Sequence, residues 1–405
     1  MPVRPILSAM RRNKVGAILI ALQMALTLAI LCNALFIIHQ RLHNSERPTG
    51  VDEDNVFVML NEWIGDTQDI KSLQQADLAA LRQLPGVVDA YPTNSYPLSG
   101  GGWSTGADLA LGQKHATAHT TDYFADDHAQ DALGLRLSAG RWFNASEVVD
   151  RGENDEKPPS NALIVTRALA DKLFPDGTAL GKTIYVDDTA QTIVGIVEHL
   201  QTPWVSSSWA EGFIENALLQ PNRIIAQRYY YIVRTRPGQI GTVPAAAQKA
   251  LLALDKERVI RNVRTFAEVR AKAYRDDRGF AIILATVCAI LIAVTAFGIV
   301  GLTSFWVTQR RRQIGIRRAL GATRRAIVHH FQTENLIIAV AAAAVGAGLA
   351  IGLNIWMVSK FEMLRMPVAV VIGGAAAVLG LGQIAVLWPA LRASSIPPAL
   401  ATRAA

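Results

Sequence analysis

The chain has 405 residues, 51% of them hydrophobic, with two cysteines and a formal net charge of +7. Two cysteines exclude a disulfide-stapled scaffold. Much of the basic excess lies beside apolar runs rather than across a polar surface, which points away from nucleic acid and towards a membrane. The apolar residues form four uncharged runs, at 15–38, 280–307, 335–358 and 368–388, each near the ~20 residues that cross a bilayer core. The fold class expected is a membrane protein, α-helical with four transmembrane helices plus a large α+β domain.

Residues 1–14 are short and basic, with Arg4, Arg11, Arg12 and Lys14. The first span, 15–38, is longer than a secretory signal core and no A-x-A cleavage pattern follows it, so it reads as an uncleaved anchor. Its amides, Gln23 and Asn33, are expected to bond neighbouring helices. Cys32 and Cys288 both fall inside spans, which leaves the large domain, 39–278, without a disulfide. That domain opens with a β-rich run at 56–60, a helix at 66–84 with Leu73, Leu78, Leu81 and Leu84 on one face, and a strand at 87–91. A second strand-helix-strand unit follows at 229–234, 242–253 and 259–263, and a last helix runs from Phe266 into the second span. Two such units predict a ferredoxin-like lobe, assigned to about 51–120 and 215–275. The stretch of about 121–214 between them, with turns at Gly134, Gly140, Gly152 and Pro158-Pro159, reads as an inserted strand-rich lobe.

After the second span (279–308) comes a polar loop, 309–334, with seven arginines (Arg310, Arg311, Arg312, Arg317, Arg318, Arg324, Arg325) and one acid, Glu334. Residues 310–320 predict a short helix whose apolar residues are Ile314, Ile316 and Leu320. Gly321 follows at the C-cap position and Thr323 at the N-cap of a second helix. The third span (335–358) contains Gly348-x-x-x-Gly352, a pattern that packs one helix closely on another, in the same chain or in a second copy. A short loop (359–367), the fourth span (368–388) and a tail (389–405) with Arg392 and Arg403 complete the chain. Arginines in the loop and at both ends place these segments in the cytoplasm and the large domain outside.

The nearest phosphate-loop match, Gly177-Thr-Ala-Leu-Gly181-Lys182-Thr183, has three residues between its glycines where a P-loop needs four. His115 and His119 stand four apart, with His128, Asp126 and Asp127 nearby, but no Cys or Glu completes a metal-ligand set. No residues form a hydrolase motif, so no catalytic, cofactor or metal site is expected in this chain. The spans lack any titratable group besides cysteine, which argues against a proton-coupled carrier.

The order Arg312-Gln-Ile-Gly-Ile-Arg-Arg-Ala-Leu-Gly-Ala-Thr323, followed by Ile327, Phe331 and Glu334, closely resembles the cytoplasmic loop of MacB/FtsX-type ABC transporter permeases. Gln313 stands where that family often has Glu, keeping the reach and losing the charge. Tyr123-Phe124, Leu135-Arg-Leu-Ser-Ala-Gly-Arg-Trp-Phe143, Asn161-Ala-Leu-Ile-Val-Thr166, Ala168-Leu-Ala-Asp-Lys-Leu-Phe174, Gly181-Lys182 and Ile193-Val-Gly-Ile-Val197 follow the order of the family's periplasmic core domain. Pro389-Ala-Leu-Arg-Ala393 and Ile396-Pro-Pro-Ala-Leu400 resemble its C-terminus. The resemblance implies a bacterial inner-membrane permease that couples by mechanotransmission to a separate ABC ATPase, which binds ATP and Mg. It implies coupling through Arg312, Gln313, Ile314, Gly315, Ile316, Arg317, Arg318, Ala319, Leu320, Gly321, Ala322 and Glu334. Further expected partners are a second copy or a related permease, membrane lipids, a periplasmic adaptor and an outer-membrane channel. The expected activity is export of a periplasmic substrate. Lipoprotein release and control of cell-wall hydrolases are other activities of the same family. A non-transporting sensor with an outer ligand domain is the reading from a different class.

Overall fold

Both faces of the strand at 56–60 are apolar, and the structure shows why. It is a computed structural model that describes residues 14–65, 69–152, 160–205, 208–361 and 364–395. Asp66, Pro158-Pro159, the N-terminal arginines, Arg403 and Ile396–Leu400 lie outside the described residues. The chain divides into two units, Glu46–Asp276 and Met1–Ser45 with Asp277–Ala405.

In the first unit, β1 (Val56–Trp63), α2 (Ile70–Gln83), β2 (Val87–Thr93), β12 (Arg228–Thr235), α5 (Val243–Leu254) and β13 (Arg258–Thr265) form a four-stranded antiparallel sheet in the order β13-β1-β12-β2. This is the split β-α-β order of a ferredoxin-like lobe. Side chains alternate along a strand. Phe57 and Met59 therefore pack under α2 and α5 with Leu78, Leu81, Val243 and Leu251, while Val56 and Val58 face the inserted lobe with Tyr91, Ile164 and Ile232. A sheet covered on both faces needs apolar residues at every position of its inner strands.

The inserted lobe comprises β3 (Trp103–Asp108), β4 (Ala118–Phe124), α3 (Ala129–Leu133), β5 (Leu137–Gly140), β6 (Val149–Gly152), β7 (Ala162–Thr166), α4 (Arg167–Leu173), β8 (Thr183–Val186), β9 (Thr189–Val197), β10 (Ala217–Gln220) and β11 (Asn222–Ile225). Its main sheet runs β5-β9-β7-β10-β4-β3-β8, and β8 pairs again with β9, closing it; β6 and β11 form a separate parallel pair. The lobe boundaries read from the sequence need correction. β3 precedes residue 121 and β10 follows residue 214, yet both are central to this sheet. The boundary is set by pairings such as Leu218 with Val165, distant in sequence.

A cluster of ionisable groups joins β2 to the start of α3. The His128 imidazole lies 2.8 Å from Asp89, whose carboxylate also accepts from the Arg82 guanidinium at 3.0 Å. His128 is thus a bonded element of this cluster. Asp89 raises the His128 pKa. Burial pushes the Asp126 carboxyl up to about 6 despite Arg223, and Asp122 up to about 7 despite Arg151. Burial also works against the Asp89 carboxylate, but His128 and the Ala90 amide outweigh it and hold Asp89 low. Asp122 and Asp126 hold protons more firmly folded than unfolded, so their stabilisation is present at low pH and falls as pH rises through about 6–7, and His128 acts in the same direction. Asp89 acts oppositely, but only below the ordinary carboxylate range. We expect the outer domain's fluorescence-monitored melting temperature to be several degrees higher at about pH 5.5 than at about pH 7.5.

The last helix predicted from Phe266 is two. α6 (Phe266–Ala273) opens with a Thr265–Glu268 capping box, and α7 (Arg275–Gln309) begins after Tyr274. Tyr274 is turned into the domain core, where Gln201 donates to its hydroxyl at 3.1 Å; that rotation interrupts the helix.

The second unit contains α1 (Lys14–Ser45), α7, the short α8 (Arg311–Ala319), α9 (Arg324–Phe361) and α10 (Val368–Ser394). The four long ones are each long and apolar enough to cross a membrane. α1 touches the other three. Gln23 donates to the Val294 carbonyl at 3.0 Å, and Thr27 and Thr295 share a hydrogen bond of 2.8 Å with α7. Asn33 donates to the Ala350 carbonyl of α9 at 3.1 Å. Towards α10, a Cβ on Gly374 would lie 2.4 Å from the Cys32 sulfur. Gly348 and Gly352 do not serve the packing expected of them within this chain. Both face outward into open space, and the close approach is made by Gly346, where a Cβ would lie 2.8 Å from the Ala25 carbonyl. The glycine pair lies on the opposite side of α9 from Gly346, since residues two apart on a helix differ by about 200°, and is left open to a second copy.

Candidate functional site

The arginine-rich loop folds as helix, tight break, helix. Gly321 takes the left-handed conformation at φ 95°. Its N–H donates to the Arg318 carbonyl and that of Ala322 to the Arg317 carbonyl, both at 3.1 Å. These two bonds make a Schellman termination of α8. The Thr323 hydroxyl then accepts from the Ala326 N–H at 3.2 Å and starts α9.

Three contacts fix α8 against the spans. Arg310, just before it, makes a two-point ion pair with Glu334 at 3.0 and 3.1 Å. Ile314 is 5% exposed and joins the core cluster with Ile327 and Phe331. Arg318 donates to the Ser394 carbonyl at the end of α10 at 2.8 Å. Gly315 is buried beside Ile314.

The outer face is different in kind. Arg311, Arg312, Gln313, Ile316, Arg317, Ala319, Leu320 and Gly321 are exposed, and Ala322 is half-buried. Ile316 is 48% and Leu320 82% exposed. A helix turns about 100° per residue, so positions 316 and 320 share a face while 314 points the opposite way. Four of the expected coupling residues are therefore placed elsewhere. Ile314, Gly315 and Glu334 are inside, and Arg318 is half-buried and tied to α10. The partner of Glu334, Arg310, is 24 residues away, beyond any local pattern. What α8 presents is an apolar pair set among exposed arginines. Such a face suits a partner groove with an apolar floor and an acidic rim.

The other sequence candidates do not gather into a site. Gly177 and Gly181 sit in turns that lead into strand β8, not into a helix whose N-terminus would meet a phosphate. His119 lies on β4 and His115 before it, outside any helix, and among the described residues no group of three or more His, Cys, Asp or Glu could hold a metal ion.

Comparison with known proteins identifies the family. The MacB-like periplasmic core domain family matches residues 25–254, and the FtsX-like permease C-terminal family matches residues 285–398. An uncharacterized ABC transporter permease of Bacillus subtilis, YvrN, is 24% identical over 298 residues, covering 69% of each chain. The macrolide export ATP-binding/permease protein MacB of Neisseria gonorrhoeae is 24% identical over 315 residues, 76% of this chain and 46% of that one. The chain thus spans about half the length of the MacB relatives it matches. Among solved structures, the periplasmic region of MacB from Actinobacillus actinomycetemcomitans aligns with 54% of this chain and 92% of its own, at 16% identity and a TM-score of 0.32. The extracellular domain of YknZ aligns with 51% of this chain and 100% of its own, at 15% identity and a TM-score of 0.33. With one family covering more than half of its length and the other most of the remainder, the chain belongs to the FtsX-like ABC transporter permeases that carry a MacB-like periplasmic core domain.

Proposed function

We propose that this chain is the permease subunit of a bacterial inner-membrane ABC transporter, and that a separate ATPase docks on the outer face of α8. The exposed Ile316–Leu320 pair carries the proposal. An apolar pair on an otherwise arginine-rich surface gains nothing from facing water, and stabilises a complex when covered. Positive charge in the loop supports a topology with α8 and both chain ends in the cytoplasm and residues 46–276 outside. ATP and Mg belong to the partner.

On this reading, ATP-driven movement of the docked ATPases pushes α8, which is held to α9 and α10 by Arg310–Glu334 and Arg318–Ser394. The long helices move with it. Near their outer ends α1 and α7 are joined by the Arg41–Asp277 ion pair, with the Arg41 guanidinium 4.6 Å from the Phe280 ring centre. In the outer domain, Arg270 of α6 holds Glu53 at 2.7 Å. The segments leading into and out of that domain are therefore tied in pairs, which favours their moving together. The resulting work is export of a substrate from the outer side, by two permeases together, with an adaptor and outer-membrane channel as further partners. Macrolide export by the MacB relatives supports export over lipoprotein release or hydrolase control.

The test is a photo-crosslinker attached through Leu320→Cys, applied in cells; Cys32 and Cys288 are buried and do not compete. The expected adduct is with a soluble protein carrying a Walker motif. Adducts with lipid alone contradict the docking.

A further inference from the structure

A cavity of about 320 Å³ opens in the outer domain between the β2–β3 loop, the segment after β9 and helix α6. That volume is at the lower end of small-molecule sites. Tyr96, Leu98, Trp204 and Val269 give it an aromatic and aliphatic lining, and Arg264 and Lys272 are its charged residues; among the described residues no carboxylate lines it. Among the described residues neither cation is ion-paired, and Arg264 bonds only the Asn262 amide oxygen, at 3.0 Å. Unpaired cations beside an apolar wall are an unmet electrostatic demand in a place where water is partly excluded, and an anion meets it.

The wall is built rather than incidental. Tyr96 is 5% exposed and stands edge-on to Tyr230 at 5.0 Å and to Phe266 at 6.3 Å between ring centres. Its loop is tied to the opposite segment by the Leu98 N–H donating to the Thr202 carbonyl at 3.3 Å and the Gly100 N–H to the Pro203 carbonyl at 3.0 Å. Leu98 is held at φ 66°, a conformation that a branched side chain adopts only where its surroundings enforce it, and such strain clusters at ligand sites.

We propose that this cavity binds an amphiphilic organic anion, its flat or branched apolar body against Tyr96, Leu98, Trp204 and Val269 and one carboxylate, sulfate or phosphate between Arg264 and Lys272. As a transport substrate class it rests on the export reading; as a binding site it does not.

The test is calorimetric titration of the full chain, in nanodiscs of zwitterionic lipid, with 2-naphthoate and with its neutral counterpart 2-naphthalenemethanol. Naphthoate is expected to bind saturably at a single site per chain, with the alcohol weaker by about ten-fold, the value of one lost charge-assisted contact. The double variant Arg264→Gln/Lys272→Gln, at two positions outside the core, should bring naphthoate down to the affinity of the alcohol and leave the alcohol unchanged. Equal affinities for the two probes, unchanged naphthoate binding in the double variant, or no saturable binding overturns the site. Repeating the titration with phosphatidylglycerol in the disc separates a lipid anion, which competes, from a soluble one, which does not. ATPase capture by the same preparations reports on the permease reading independently, so either can fail alone.

Discussion

Ile316→Asp/Leu320→Asp is expected to abolish ATPase capture while leaving the helical unit folded. Both side chains are exposed in the chain alone, at 48% and 82%, so their replacement removes little buried apolar surface. In the complex each aspartate sits where an apolar contact belongs, and an uncompensated buried charge costs about 3–5 kcal/mol, roughly a hundred-fold or more in affinity. Ile314→Asp separates docking from folding. At 5% exposure it forces a carboxylate into the cluster of Ile327 and Phe331, so it is expected to lower the yield of folded protein. Size-exclusion profiles together with capture distinguish the two. A double variant that still captures the ATPase at wild-type levels removes α8 from the interface.

Arg258→Met is the largest single change expected in stability. Arg258 and Asp77 are 3% and 0% exposed and form an ion pair under the ferredoxin-like sheet. Tyr231 donates to the same carboxylate at 2.7 Å, and the guanidinium lies 4.0 Å from the Trp63 ring centre. Burial, with a smaller contribution from the Asp255 charge, raises the Asp77 pKa, opposed by Arg258 and Tyr231. Removing Arg258 strands the carboxylate and is expected to cost about 3–5 kcal/mol, a large part of the ~5–15 kcal/mol that holds a domain folded. Asp77→Leu/Arg258→Met is expected to recover much of that loss, because it removes the charge instead of orphaning it. Urea unfolding followed by tryptophan fluorescence reads both. A single variant less than about 1 kcal/mol below wild type, the scale of an exposed pair, would show that water reaches Asp77.

What could be read from the sequence was local. The break at Gly321 and the cap at Thr323 depend on neighbours within four residues. The two strand-helix-strand units follow from periodicity, and the spans from uninterrupted apolar length. What escaped was the choice of side. Helical phase puts Ile314 opposite Ile316, but only packing against Ile327 and Phe331 decides which is inside. The same holds for Gly346 against Gly348, where the small-residue motif lies on one face and the contact within this chain on the other. Glu334 and His128 found partners 24 and 39 residues away, and β3 and β10 were claimed by a sheet whose pairings no local pattern encodes. Tyr274 ends a helix for a tertiary reason, its place in the domain core.

The most direct measurement is affinity purification of the unaltered chain from its native membranes under gentle extraction, with identification of every protein that accompanies it. A soluble protein with a Walker motif, recovered in stoichiometric amount and released by the double aspartate variant, is the expected result. Recovery of the chain with no ATPase at all would contradict the account, and would favour an outer domain that senses a ligand without driving transport.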